Sequence, residues 1–265
     1  VPLLKPAARH SASVSRTVAA APGSDGSGPE RGPRRGLGIA TAVGRALLLQ
    51  LAAFGIVLGC VAAAGRLPGL PPGLLPFPGL SGNERALLAL TVLPHAALAL
   101  LVLLASRLRP GTGLGFAHPA LPRRALLLML LWPAAQLAWT AGLLLLAGQP
   151  PARAWRLSPF LTGSVFWAWA LWLVVLAPLA EEMLFRGDLF VRLRPLLSPA
   201  GTVAAAAAVF VLCHAERGLL QPVSVLPLGV ALGVMRLWTG SLWPCIALHA
   251  VSNGTVVLAR VWTTG

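Results

Sequence analysis

Residues 161 to 186 read LTGSVFWAWALWLVVLAPLAEEMLFR. From Leu161 to Ala180 the run is almost wholly apolar, and about 20 such residues suffice to cross a roughly 30 Å hydrocarbon core as a helix. Two adjacent carboxylates, Glu181 and Glu182, then enter the same apolar stretch ahead of Met183, Leu184 and Phe185, and Arg186 follows. An ionised side chain at the centre of a membrane helix costs roughly 2.5–3.5 kcal/mol on insertion scales, so charges placed there mark a functional site by default.

The rest of the chain supports a membrane reading. Of 265 residues 57% are hydrophobic and only seven are acidic, with a mean hydropathy of +0.79, outside the range of soluble domains. The sequence predicts an all-α, polytopic bundle of about seven spans, with six to eight compatible with the pattern: 37–64, 86–105, 125–147, 164–193, 202–216, 223–238 and 241–261. Residues 1–36, rich in Ala, Ser, Gly, Pro and Arg, read as a disordered basic tail. Residues 37–160 then form an N-terminal set of spans, and 161–265 a C-terminal transmembrane core that carries the charged motif. The Pro/Gly-rich block from Leu67 to Gly82 is incompatible with a regular helix and reads as a loop or re-entrant segment.

The net charge of +14 comes from cations between the apolar runs and makes no nucleic-acid-binding stripe. An N-terminus on the cytoplasmic side puts fourteen Lys and Arg inside and six outside, with Arg45 left within the first span, as the positive-inside rule requires. Tryptophans at span ends, among them Trp155, Trp238 and Trp262, suit interfacial anchoring. Gly55-x-x-x-Gly59 and Gly229-x-x-x-Gly233 permit close helix approach. The three cysteines, Cys60, Cys213 and Cys245, form no C-x-x-C pair, so neither a disulfide framework nor a zinc knuckle is expected.

Further polar positions recur at helical spacing: Phe210 and His214, then His249 and Asn253. Residues i and i+4 share a helix face, so Arg186 can neutralise Glu182 and leave Glu181 for chemistry. Counted from the expected cytoplasmic ends of their spans, Glu181, His214 and Asn253 each lie about 12 or 13 residues in, or roughly 18–20 Å, with His249 somewhat shallower. One layer can therefore hold all four. A carboxylate and an imidazole can deprotonate a water, while a second imidazole and an amide N–H donate to the oxyanion that forms when that water attacks a carbonyl.

Three motifs in register, Glu181-Glu182-Met183-Leu184-Phe185-Arg186, Phe210-Val211-Leu212-Cys213-His214 and His249-Ala250-Val251-Ser252-Asn253, resemble the CPBP (CAAX protease and bacteriocin-processing) family of intramembrane endopeptidases. Ser241-Leu242-Trp243-Pro244 also looks like the family, and the resemblance covers residues of about 160 to 261. It implies that Glu181 and His214 activate the water, Glu182 and Arg186 support the site, and His249 and Asn253 stabilise the oxyanion. Phe210 reads as a packing residue beneath His214. The preferred mechanism requires no cofactor. The family is often labelled metalloprotease, so a divalent metal such as zinc on Glu181, His214 and His249 is the alternative, although H-E-x-x-H is missing from the chain. The implied partners are a membrane-associated peptide or protein substrate and the lipid bilayer, and no oligomeric state is set. In the eukaryotic branch, the substrates carry prenylated CAAX ends. The Arg-heavy, Lys-poor, Ala/Leu-rich composition instead looks bacterial, implying a plasma-membrane location in which such substrates are not expected.

Other readings compete. A non-proteolytic immunity or scaffold protein would keep the helical frame, and a small proton-coupled transporter would use the buried charges as a relay, though the two halves of the chain share no repeat of the kind many transporters carry. Cys245, His249 and Asn253 fall on one face, but in a line along a single helix they do not converge as a nucleophilic triad does. His95 and His118 read as ordinary interhelical hydrogen bonders, Glu216 and Arg217 as a solvated span end, and Asp188 as a local ion partner.

Overall fold

The computed structural model describes residues 33–64, 82–108, 113–150, 163–215, 218 and 220–264. Among these residues there is no strand, and they form a bundle of seven helical segments. We number them α1 (Pro33–Ala64), α2 (Gly82–Arg107), α3 (Arg123–Leu146), α4, α5 (Pro199–Leu212), α6 (Leu220–Thr239) and α7 (Trp243–Thr264). The segment α4 is composite: α-helical Gly163–Leu171, a π-helical turn Trp172–Leu176, α-helical Ala177–Glu182, a second π-helical stretch Met183–Leu189, and α-helical Phe190–Leu193.

All seven expected spans are helices, and their ends shift by a few residues. The first helix starts at Pro33, inside what the sequence suggested was tail. The fifth ends at Leu212 and not at 216, so Cys213 and His214 lie in the turn that follows. Most of the basic tail, the Pro/Gly-rich loop, Trp155, Glu216 and Arg217 lie outside the described residues. Five segments are long and apolar enough to cross a membrane, while Pro199–Leu212 and Trp243–Ala259 are shorter apolar helices. With this composition, the protein is an integral membrane protein.

The central position of α4 follows from which faces are covered. Half of its apolar window is buried within the protein, against 6% for α3, whose Leu126, Leu127, Leu130 and Leu131 face outward as lipid-facing residues do. Leu184, Phe185, Leu189 and Leu193 of α4 meet Phe210 of α5, Leu232 and Met235 of α6 and Leu242 ahead of α7 in one core. The α5/α6 contact depends on two of the expected small residues. A Cβ on Gly233 would lie 2.9 Å from Val203, and one on Gly229 would lie 3.3 Å from Phe210. By contrast, Gly55 and Gly59 have open space around them.

The helix starts are set locally. At α5, the Ser198 side chain accepts from the Gly201 N–H at 3.1 Å, and Pro199 occupies the first turn, where its missing N–H costs nothing.

Candidate active site

The motif residues meet in a cavity of about 170 Å³ lined by α1, α2, α4, α5, α6 and α7. Glu181 lies at its centre. Its Oε1 is 3.2 Å from His95 Nε2, and its Oε2 is 3.9 Å from His214 Nε2 and 4.0 Å from His249 Nε2. Oε2 is buried and accepts no hydrogen bond from the protein. Two acceptors 3.9 Å apart can each take a hydrogen bond of about 2.8 Å from one water.

The imidazoles are fixed from behind. His214 Nδ1 lies 2.8 Å from the Phe210 carbonyl, which can only accept, so this nitrogen carries a proton and Nε2 is the ring atom turned toward Glu181. The i,i+4 spacing survives although His214 stands just past the helix end. His249 Nδ1 donates to Glu182 Oε1 at 2.9 Å. That carboxylate oxygen also accepts from Arg186 Nη1 at 3.0 Å, and Arg186 Nη2 donates to the Gly229 carbonyl at 2.9 Å. Glu182 and Arg186 are both fully buried. Such a pair is costly to desolvate and still more costly to break, and its position fixes α7 and α6 against α4.

Phe210 is also fully buried. Its ring centroid is 4.5 Å from that of His214, 5.8 Å from that of His249 and 5.3 Å from that of Phe185, and the Arg186 guanidinium lies 4.7 Å from its centre. It packs beneath both histidines and gives the cation an aromatic face.

The position of Asn253 follows from a local defect in α4. The Ala177 N–H bonds to the Trp172 carbonyl, one residue further back than in an α-helix, and the next residue, Pro178, has no N–H to give. The Leu173 carbonyl is thereby released, and Asn253 Nδ2 donates to it at 2.7 Å. One of the two Asn253 N–H bonds is used in this way and the other remains. The same π turn carries Trp172 into the cavity wall, where its buried indole N–H has no acceptor. Single π turns are frequent at functional sites. In the second π-helical stretch, the Arg186 carbonyl accepts from Arg236 Nε at 3.1 Å.

Several expectations change. His95 is an interhelical hydrogen bonder as expected, but its partner is Glu181 itself. Asp188 is a local ion partner, but of Arg192 (3.0 and 2.9 Å) and Arg45 (3.1 Å), not of Arg186 beside it in sequence. The same pairing explains the arginine left within the first span. Cys245 is fully buried, and its thiol lies 3.6 Å from the carbonyls of Leu232 and Ser241, in keeping with a packing role. His118 lies exposed, away from the site.

The donor set does not fit a metal as arranged. Ligand atoms around one tetrahedral zinc at about 2.0–2.1 Å sit about 3.3 Å apart, closer than the two histidine nitrogens are to Glu181 Oε2. His249 Nδ1 and Glu181 Oε1 are engaged elsewhere. Among the described residues, no group of three His, Cys, Asp or Glu side chains is placed to hold a metal ion.

Residues 163–255 match a family model described as Rce1-like, type II CAAX prenyl endopeptidase Rce1-like. No curated protein and no solved structure matches the chain. The matched stretch begins where α4 begins and takes in Glu181, His214, His249 and Asn253, while α1, α2 and α3 fall outside it. Residues 163–255 are thus similar to the Rce1-like CAAX endopeptidases, in agreement with the CAAX protease family that the three sequence motifs resemble.

Proposed function

We propose that the protein is an intramembrane endopeptidase that hydrolyses a peptide bond in a membrane-associated peptide or protein, with a water activated by Glu181 and His214. The observation that carries this reading is the buried Glu181 Oε2, unpaired by the protein and flanked by His214 Nε2 and His249 Nε2 at 3.9 and 4.0 Å. A water held between Oε2 and His214 Nε2 loses a proton to Glu181 as its oxygen attacks the carbonyl carbon. The carbonyl π electrons move onto oxygen. His249, protonated on both nitrogens and backed by Glu182, donates from Nε2 to that oxyanion, together with the second Asn253 N–H. The oxyanion then re-forms the C=O as the C–N bond breaks and the proton on Glu181 passes to the leaving nitrogen, giving a carboxylic acid and an amine, which become carboxylate and ammonium when the acid proton passes to the amine. Every step runs on side chains of this chain, and no metal is required.

The family name points to CAAX-type substrates, whereas the composition of the chain favours a bacterial plasma membrane with other membrane peptides as substrates. The Lys/Arg asymmetry supports a cytoplasmic N-terminus, which reporter fusions at either end would test. The experiment for the function itself is cleavage of a peptide library by the purified protein in liposomes, with wild type, Glu181→Ala and His214→Ala each assayed with and without chelator. Cleavage by wild type alone, insensitive to chelator, is the expected result. Identical product patterns from all three proteins, or no product from any while folded wild type still binds peptide, would favour a scaffold or immunity protein. Flux driven by a pH gradient would favour the transporter.

A further inference from the structure

The N-terminal helices contribute one ionisable group to the candidate site that none of the three motifs contains. His95, in the middle of α2, lies outside residues 163–255. Its Nδ1 is 3.1 Å from the Thr91 carbonyl, an oxygen that can only accept, so Nδ1 carries a proton. Its Nε2 is 3.2 Å from Glu181 Oε1. Two acceptors at that distance do not bond without a proton between them, so Nε2 and Oε1 share one: the pair is imidazolium with carboxylate, or imidazole with carboxylic acid. The ring is held on its other side by the edge of Trp172, with centroids 5.1 Å apart and planes at 76°, and both His95 and Trp172 line the cavity.

We propose that His95 is a positioning residue for the hydrolysis: its shared proton holds Glu181 Oε1, turns the carboxylate and presents Oε2 to the water. The inference rests on the endopeptidase reading above. The ionisable groups facing Glu181 are then three imidazoles from three helical segments: His95 from α2, His214 from the turn after α5, and His249 from α7, the last backed by the Glu182/Arg186 pair. The Nε2 proton of His95 stays on the Oε1 side throughout. The water's proton arrives on Oε2 and leaves from Oε2 to the amine, so the reaction balances without a net transfer to or from His95. Anchoring one carboxylate oxygen confines the other to the geometry of attack, and a misplacement of about 1 Å there is worth on the order of 10²-fold in rate.

The test separates hydrogen bonding from packing. His95→Phe keeps a ring against Trp172 without nitrogens, His95→Leu keeps only apolar volume, and His95→Gln keeps an N–H donor able to reach Oε1. Steady-state cleavage of one library-derived peptide in liposomes is measured for all three, alongside wild type and Glu181→Ala. Expected is a kcat about 50-fold or more below wild type for Phe and Leu with KM within about 3-fold, and recovery by Gln to within about 5-fold. Phe or Leu retaining activity within about 5-fold of wild type would overturn the inference, as would Gln no better than Phe. Should one apolar variant fail to fold, by loss of its thermal transition, the other provides the same comparison. These outcomes are distinct from failure of the endopeptidase reading, in which wild type and Glu181→Ala give the same products or none.

Discussion

Two carboxylates seven residues apart on α4 show how differently a buried charge can be treated. Asp188 is satisfied: Arg192 reaches it through two nitrogens and Arg45 through a third, tying α1 to the end of α4. Glu181, about three-fifths of the way along the same composite helix, faces histidines in place of arginines and keeps one buried oxygen that the protein does not pair. An unmade buried hydrogen bond costs about 1–3 kcal/mol, yet Arg45 Nη2 beside Asp188, and Glu182 Oε2 and Arg186 Nε behind His249, also stay buried without a partner. What sets Glu181 apart is that its open oxygen belongs to a cavity-lining residue and is surrounded by imidazoles, which can exchange protons. Glu182 and Arg186 resemble the Asp188 cluster in their pairing, yet they stand behind His249 and so serve the open site.

Perturbing each cluster should expose the contrast, with the largest effect at the open site. His214→Ala removes the imidazole across the water position and should lower kcat by about 10²–10⁴-fold with the fold intact, read by cleavage kinetics beside a thermal melt. Arg186→Met should act in the opposite sense, on stability first: it strands Glu182, and loss of one partner of a buried pair costs about 3–5 kcal/mol, measured as a lowered unfolding midpoint in detergent. Asn253→Ala should cost about 10²–10³-fold in kcat with little change in KM, the signature of a lost oxyanion donor. Asp188→Asn weakens charge-assisted hydrogen bonds and should remove about 1.5–3 kcal/mol of stability while activity stays within a few-fold. A large activity loss there at unchanged stability would mean that the Asp188 cluster is part of the reaction.

Much of this was legible in the sequence because hydropathy and i,i+4 spacing speak directly about helices in lipid. The seven spans, the Glu182/Arg186 pair and the meeting of Glu181, His214 and His249 in one layer all follow from counting along apolar runs. The Arg45 partner of Asp188 did not, because it is 143 residues away and only the packing of α1 on α4 joins them, whereas Arg192 stands at i+4. The π turns also escaped, since nothing in a run such as Trp172 to Leu176 marks a widened helix; the sole cue is Pro178, whose missing N–H frees the carbonyl that Asn253 uses. His95 had a signal that depth counting carries: it lies twelve residues before Arg107, the end of α2, or about 18 Å at 1.5 Å per residue, the depth worked out for Glu181. Read by itself it looks like any membrane histidine, and only the layer it shares sets it apart.

The most direct test of the account is a side-by-side measurement of kcat for Glu181→Gln and Asp188→Asn in the same liposomes on the same peptide. Both changes replace a buried carboxylate on α4 with its neutral amide. The account expects a loss of about 10³-fold or more for Glu181→Gln, on the scale of removing a general base, and activity within about 5-fold of wild type for Asp188→Asn. Equal losses in the two variants, or full activity in Glu181→Gln, would contradict it.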